Sequence, residues 1–180
     1  MSEPIPVWLS IGGRLPVSLA GPFCQAICTD GVALEWGDAP FRPHTAEDLL
    51  AACREKRGVR VLWLCSDQAN WGRLPALEAL LTSQARLPFD LQTDGKAEFD
   101  PELLAFRPGG QPVRLITTAR GEPVIAARRL ARLIRELASA LKADPTIPSQ
   151  ARRQRGERAL AGIRALVHLP LSPLPPFEIV

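Results

Sequence analysis

Seven consecutive residues, 59–65 (VRVLWLC), constrain this chain more than any other stretch. Six of the seven are apolar, and the run is bounded by Gly58 and Ser66, which is too short for a buried helix. β-Branched and aromatic side chains in such a run suit a strand covered on both faces, so an interior strand is predicted. The rest of the chain must then supply neighbours for its edges and helices for its faces.

The flanking pattern supplies candidates for both. Residues 6–11 (PVWLSI), ending at Gly12 and Gly13, predict a first strand and turn. Residues 23–29 (FCQAICT) and 32–36 (VALEW) are apolar runs joined by Asp30 and Gly31, the pattern of a β-hairpin. Thr45 with Asp48 three residues on forms a capping-box pattern and opens a helix with Leu49, Leu50 and Cys53 inward, ending at Gly58. Residues 66–72 read as a loop, 74–82 as a second short helix, and 113–117 (VRLIT) as the last strand. Residues 83–112, broken by Pro88, Pro101, Pro108, Gly109 and Gly110, read as a surface excursion with a small hairpin around Asp94 and Gly95.

Two longer helices follow. Pro123 at a first helical position opens one over 123–143, with Leu130, Leu133, Ile134, Leu137 and Leu141 as its apolar stripe. Arg128, Arg132, Arg135 and Lys142 lie opposite, with Arg129 flanking. Pro145 and Pro148 separate it from a second helix over 149–168, basic in its first half and apolar in its second. The end, PLSPLPPFEIV, is extended by proline and apolar enough to pack along the domain or along a partner. The expectation is an α/β fold: a single mixed β-sheet with packed helices. One domain holds a β-rich part (1–122), a basic helical part (123–169) and an extended tail (170–180).

Charge is segregated in the same way. Residues 1–119 carry 11 Lys/Arg against 14 Asp/Glu, and residues 120–180 carry 11 against 5, a net of +6. Such asymmetry points to an anionic partner. The candidate contacts are Arg128, Arg132, Arg135, Arg152, Arg153, Arg155 and Arg158. Arginine presents a planar fork that fits phosphate, but 19 of the 22 cations are Arg in a chain without Tyr, a composition typical of GC-rich coding. Clustering therefore carries the reading, not residue identity. No aromatic residue interleaves with these arginines, so phosphate contact is expected rather than base stacking. The expected function is a non-enzymatic accessory or adaptor subunit that binds nucleic-acid backbone within a larger complex. The alternative partner is an acidic protein surface.

Other classes find less support. No apolar run approaches the roughly 18–20 residues of a membrane span, and MSEPIPVWLSIGG has neither the basic nor the apolar region of a signal peptide, so a cytoplasmic protein is expected. Cys24, Cys28, Cys53 and Cys65 fit reduced, mostly buried thiols; a zinc site shared among them, or joined by His44, is the alternative. No cofactor is expected. The only other histidine is His168, and no GxSxG occurs, so nucleophilic catalysis lacks its usual parts. Trp8, Trp36 and Trp63 are placed in the core by position, while Trp71 in a polar loop is a candidate exposed anchor.

Two segments carry resemblances to known families. ICTDG (27–31) followed by TAEDLLAACREKRGVRVLWLCSDQANWG (45–72) resembles ribonuclease H over about a quarter of the chain. The resemblance implies an acid on the first strand, one on the first helix and one at the end of the fourth strand, matched here by Asp30, Glu47 and Asp67. It further implies Mg²⁺-dependent two-metal phosphodiester hydrolysis, or an inactive relative of that fold. The strand–loop–helix order at 113–123 resembles in outline the Rossmann-like nucleotide-sensing domains of antiviral effectors. It implies a ligand loop at Thr117, Thr118, Arg120 and Gly121, with Gly12, Gly13 and Arg14 on the same rim.

Overall fold

A computed structural model describes residues 4–56, 58–95, 100–118, 120, 122–124, 127–141, 149–167 and 172–180; at positions 127, 129, 152 and 164–167 only the backbone is described. The chain divides into two compact units, residues 1–123 with 172–180, and residues 124–171.

The first unit is built on a six-stranded sheet. β1 (Pro4–Ile11) lies between β4 (Val59–Asn70) and β5 (Phe89–Thr93). β3 (Cys53–Lys56) borders β4, while β6 (Glu102–Phe106) and β7 (Val113–Ile116) follow β5. Every pairing in this sheet is antiparallel. A second, two-stranded sheet pairs β2 (Gly13–Leu15) in parallel with β8 (Phe177–Ile179).

Period-2 alternation decides which face is buried. Val7, Leu9 and Ile11 of β1 share one core with Leu62 and Leu64 of β4 and with Phe89 and Leu91 of β5. α1 (Ala20–Asp30), α2 (Ala46–Ala51) and α3 (Pro75–Ala79, continued by a π-helical turn over Leu80–Gln84) complete it with Phe23, Ile27, Leu49, Leu77 and Leu81. Each such side chain contributes about 1.5–3 kcal/mol when fully buried. Phe177 of β8 enters the same core, its ring 6.2 Å from that of Phe23.

The strand at 59–65 forms as predicted but continues to Asn70, so residues 66–70 are strand rather than loop. The Thr45–Asp48 capping box also forms, yet its helix stops at Ala51; residues 53–56 become β3 and Gly58 (φ 77°) serves the turn to β4. The hairpin over 23–36 is overturned. Residues 23–29 belong to α1, whose buried positions Ala20, Phe23, Cys24 and Ile27 follow the helical period, and Gly31 (φ 62°) caps it in the left-handed conformation. The surface excursion over 83–112 is overturned too, since β5 and β6 bring Phe89, Leu91 and Phe106 into the core, although the antiparallel pairing expected on either side of Asp94 and Gly95 does form between these two strands. Their prolines, Pro88 and Pro101, stand just before the strands, where no ladder hydrogen bond is lost. The tail packs along its own chain as β8.

The second unit consists of α4 (Ala127–Leu141) and α5 (Ser149–Val167). They run antiparallel, because a Cβ on Gly162 would stand 2.9 Å from Leu133 Cδ2 and one on Gly156 3.5 Å from Ala140 Cβ. Leu133 and Ala159 are buried between them. Of the predicted stripe, Leu130 and Leu137 are half-buried, whereas Ile134 and Leu141 are exposed. Pro123 does not open α4; it bridges to Thr117 instead. Lys142 and His168 lie outside the described residues.

Candidate functional site

Helical spacing aligns the arginines of the second unit. Arg128, Arg132 and Arg135 are separated by four and three residues on α4, and Arg155 and Arg158 by three on α5, so each set shares a face. Where the two helices meet, Arg135, Glu136 and Ser139 of α4 and Arg155 and Arg158 of α5 line a groove of about 540 Å³. Thus three of the seven predicted arginines converge. Arg132 and Arg153 instead pair with Glu136 (3.8 Å) and Glu157 (2.9 Å) one turn along their own helices. Exposed pairs of this kind contribute only about 0.3–0.5 kcal/mol, so they leave both guanidinium groups available to a partner. Arg128 is exposed, and the side chain of Arg152 lies outside the described residues. Residues 124–171 carry 10 Lys/Arg against 3 Asp/Glu, a net of +7, while the other unit carries 12 against 16.

Thr117, Thr118, Arg120 and Glu122, described residues around the predicted ligand loop, are held by hydrogen bonds of both backbone and side chain. Thr117 is buried; its N–H donates to Pro101 O (2.7 Å), and its hydroxyl has no hydrogen-bond partner among the described residues. Thr118 N–H donates to Glu122 O, and Thr118 Oγ1 accepts from the N–H groups of Arg120 (3.2 Å) and Glu122 (3.3 Å). Gly121 lies outside the described residues. In an antiparallel sheet successive strands end at opposite edges. Thr117 follows β7 at the edge where β4 and β5 also end, whereas Gly12, Gly13 and Arg14 follow β1 at the other edge. The shared rim is therefore overturned.

The three matched acids sit on separate elements. Asp30 is not in a hairpin turn: it ends α1 and accepts the N–H groups of Ala76 (3.2 Å) and Leu77 (2.8 Å), capping the start of α3. Burial raises its pKa, against the lowering effect of those two hydrogen bonds. Glu47 is exposed in the first turn of α2, and Asp67 is exposed on β4. Among the described residues no group of three or more His, Cys, Asp or Glu has metal-binding geometry.

The cysteines are free thiols. Cys24, Cys53 and Cys65 donate to the carbonyls of Thr45, Leu49 and Ala33, and burial raises all three pKa values; Cys28 is exposed. Trp8 stacks edge-on against Trp36 at 5.2 Å, and Trp63 lies under Arg54 at 5.3 Å. Trp36 is 41% exposed rather than core, and Trp71, with φ 54°, is 50% exposed.

One cluster escaped the sequence reading. Arg14, Arg86 and Arg107 line a groove of about 500 Å³ in the first unit, at the end of β1. Arg86 and Arg107 stood in the supposed surface excursion; the alternation of FDLQT (89–93) was the signal that this segment is sheet. No protein-family model, curated protein or solved structure matches the chain. Among the described residues no helix is long and apolar enough to cross a membrane.

Proposed function

We propose that the α4–α5 hairpin is a non-enzymatic binding module for the nucleic-acid backbone, and that the chain acts as an accessory subunit bringing this module to a larger assembly. The observation that carries the reading is the convergence of Arg135, Arg155 and Arg158 from two helices on one groove with a single carboxylate, Glu136, in its lining. Guanidinium forks fit phosphate oxygens, and neutralised phosphates release counterions that drive association at low salt. With no aromatic residue on either helix, the contacts are to backbone and the sequence preference is low.

The test is fluorescence anisotropy of the full chain with labelled single- and double-stranded DNA and RNA across a salt series. Binding should weaken steeply with salt, and Arg135→Ala/Arg155→Ala/Arg158→Ala should flatten the log–log slope by about 3, near 0.9 per phosphate contact. Salt-insensitive binding, or none at low salt with any of the four probes, overturns the proposal and directs the basic hairpin to an acidic protein surface.

A further inference from the structure

The second groove belongs to the other unit and carries a different chemistry. Four segments distant in sequence build it: the start of β2, the residues between the π-helical turn and β5, the end of β6, and the tail preceding β8. Pro88, Pro108 and Pro173 give it flat apolar walls, and no acidic side chain is in its lining among the described residues.

Its three arginines are not equivalent. Arg107 is fixed: it donates to the carbonyls of Phe89, Phe106 and Ser172 and pairs with Asp90 at 2.8 Å. Arg14 is 71% exposed at its side chain, and its Nε lies 3.5 Å from Glu178. Arg86 is exposed and makes no ion pair or side-chain hydrogen bond among the described residues.

Arg86 is also held in a left-handed backbone conformation, φ 48°. The cause is the π-helical turn, whose extra residue lets Ala85 N–H reach Leu80 O (2.9 Å) and Leu87 N–H reach Leu81 O (3.0 Å). Glycine usually fills such a helix-ending position, and an L-residue there costs about 1–2 kcal/mol. The fold therefore accepts strain that Gly would relieve, and places a guanidinium without an ion-pair partner among the described residues in a groove whose other two arginines are paired with Glu178 and Asp90 outside its lining.

We propose that this groove binds a small phosphorylated ligand of nucleotide size. Arg14 and Arg86 take the phosphate through their forks, and the proline walls take its apolar body. A dianionic phosphate satisfies two guanidinium groups where a carboxylate supplies one charge. The site is independent of the helical hairpin.

Isothermal titration of the full chain with inorganic phosphate, pyrophosphate, AMP, ADP and GDP tests it, with adenosine as the uncharged probe. Saturable binding of the nucleoside phosphates is expected, weaker for phosphate and pyrophosphate, and absent for adenosine. Arg86→Gly should weaken binding at least tenfold with Tm unchanged or raised, because the substitution removes strain together with the ligand contact. Arg14→Ala, which alters an exposed side chain without touching the strained backbone, should weaken it as well. The triple hairpin variant should bind like the parent chain. No saturable heat with any phosphate at millimolar concentration overturns the proposal. So does unchanged affinity in Arg14→Ala, or loss of binding in the hairpin variant alone.

Discussion

The guanidinium of Arg107 holds the carbonyl oxygen of Ser172 across 65 residues of sequence, 3.1 Å from Nε and 2.9 Å from Nη2. The same side chain donates to Phe89 O (3.0 Å) and Phe106 O (2.8 Å), so one residue ties two core strands to the returning tail. Its side chain is only 13% exposed, and Asp90 beside it would be left without its counter-charge. Arg107→Ala is therefore expected to destabilise the first unit by about 3 kcal/mol, in the range for breaking a largely buried pair. Arg107→Lys should recover little, because one ammonium cannot span the same carbonyls. Urea unfolding gives the energy, and limited proteolysis should show earlier cleavage within 172–180.

Gly12 sets how closely that tail can lie. A Cβ at this position would stand 2.1 Å from Pro175 O, a backbone atom that cannot rotate away. Gly12→Ala should cost about 2 kcal/mol or more, as overpacked sites do. Gly21 is the contrast: it lies in α1 with nothing within 4 Å of its Cβ position. Gly21→Ala should be neutral or stabilise by about 0.5 kcal/mol through reduced chain entropy. Thermal unfolding of the two variants side by side should show a lowered Tm for Gly12→Ala and an unchanged or raised Tm for Gly21→Ala.

Two aspartates with opposite shifts predict opposite pH behaviour. Burial raises the pKa of Asp30, so between its unfolded and folded values the folded chain binds more protons, and stability falls as pH rises through that window. Hydrogen bonds from the His44 and Thr45 N–H groups lower the pKa of Asp48, so its stabilisation is present above the usual carboxylate value and is lost as pH falls through the folded one. Between about pH 2.5 and 6, spanning the ordinary Asp value, the stability difference between the parent chain and Asp48→Asn should shrink on acidification. That between the parent chain and Asp30→Asn should grow in favour of the parent. Parallel curves for the two variants would contradict the assignment.

These sites also show what sequence carries. Thr45 and Asp48 were legible because a capping box is local: His44, Thr45 and Asp48 make all of its hydrogen bonds within five residues. The first part of β4, 59–65, was legible because burial on both sides leaves a continuous apolar run, whereas its polar continuation 66–70 reads like a loop. α1 was not, because Gly21, Pro22, Asp30 and Gly31 punctuate a helix and a hairpin alike. Proline is tolerated in a first helical turn, and a left-handed glycine ends a helix as readily as it turns a strand. In the hairpin, spacing aligned Arg135, Arg155 and Arg158 on their faces, but only helix-to-helix packing brings them to one groove. The groove of Arg14, Arg86 and Arg107 was illegible for the same reason in stronger form. Its walls come from residues 13 to 175, and no local pattern records that they meet.

Salt should act on the helical hairpin in two opposing ways. α4 and α5 contain nine arginines against Glu136 and Glu157, and bury only Leu133 and Ala159 among their described side chains. Self-repulsion at a net charge of this size opposes compaction, and little apolar burial offsets it. The Arg132–Glu136 and Arg153–Glu157 pairs contribute only about 0.3–0.5 kcal/mol each, so screening them matters less than screening the repulsion. Raising NaCl from about 20 mM to 300 mM shortens the Debye length from roughly 20 Å to about 6 Å. Amide hydrogen exchange over Ala127–Leu141 and Ser149–Val167 should therefore slow as salt rises, while affinity for nucleic acid falls over the same range. Gly156→Ala, whose Cβ would meet Ala140 at an ordinary 3.5 Å, should slow exchange at both salt concentrations by adding about 0.5–1 kcal/mol of helix stability. Exchange that quickens with salt would mean that the glutamate pairs, not the arginine repulsion, control the hairpin.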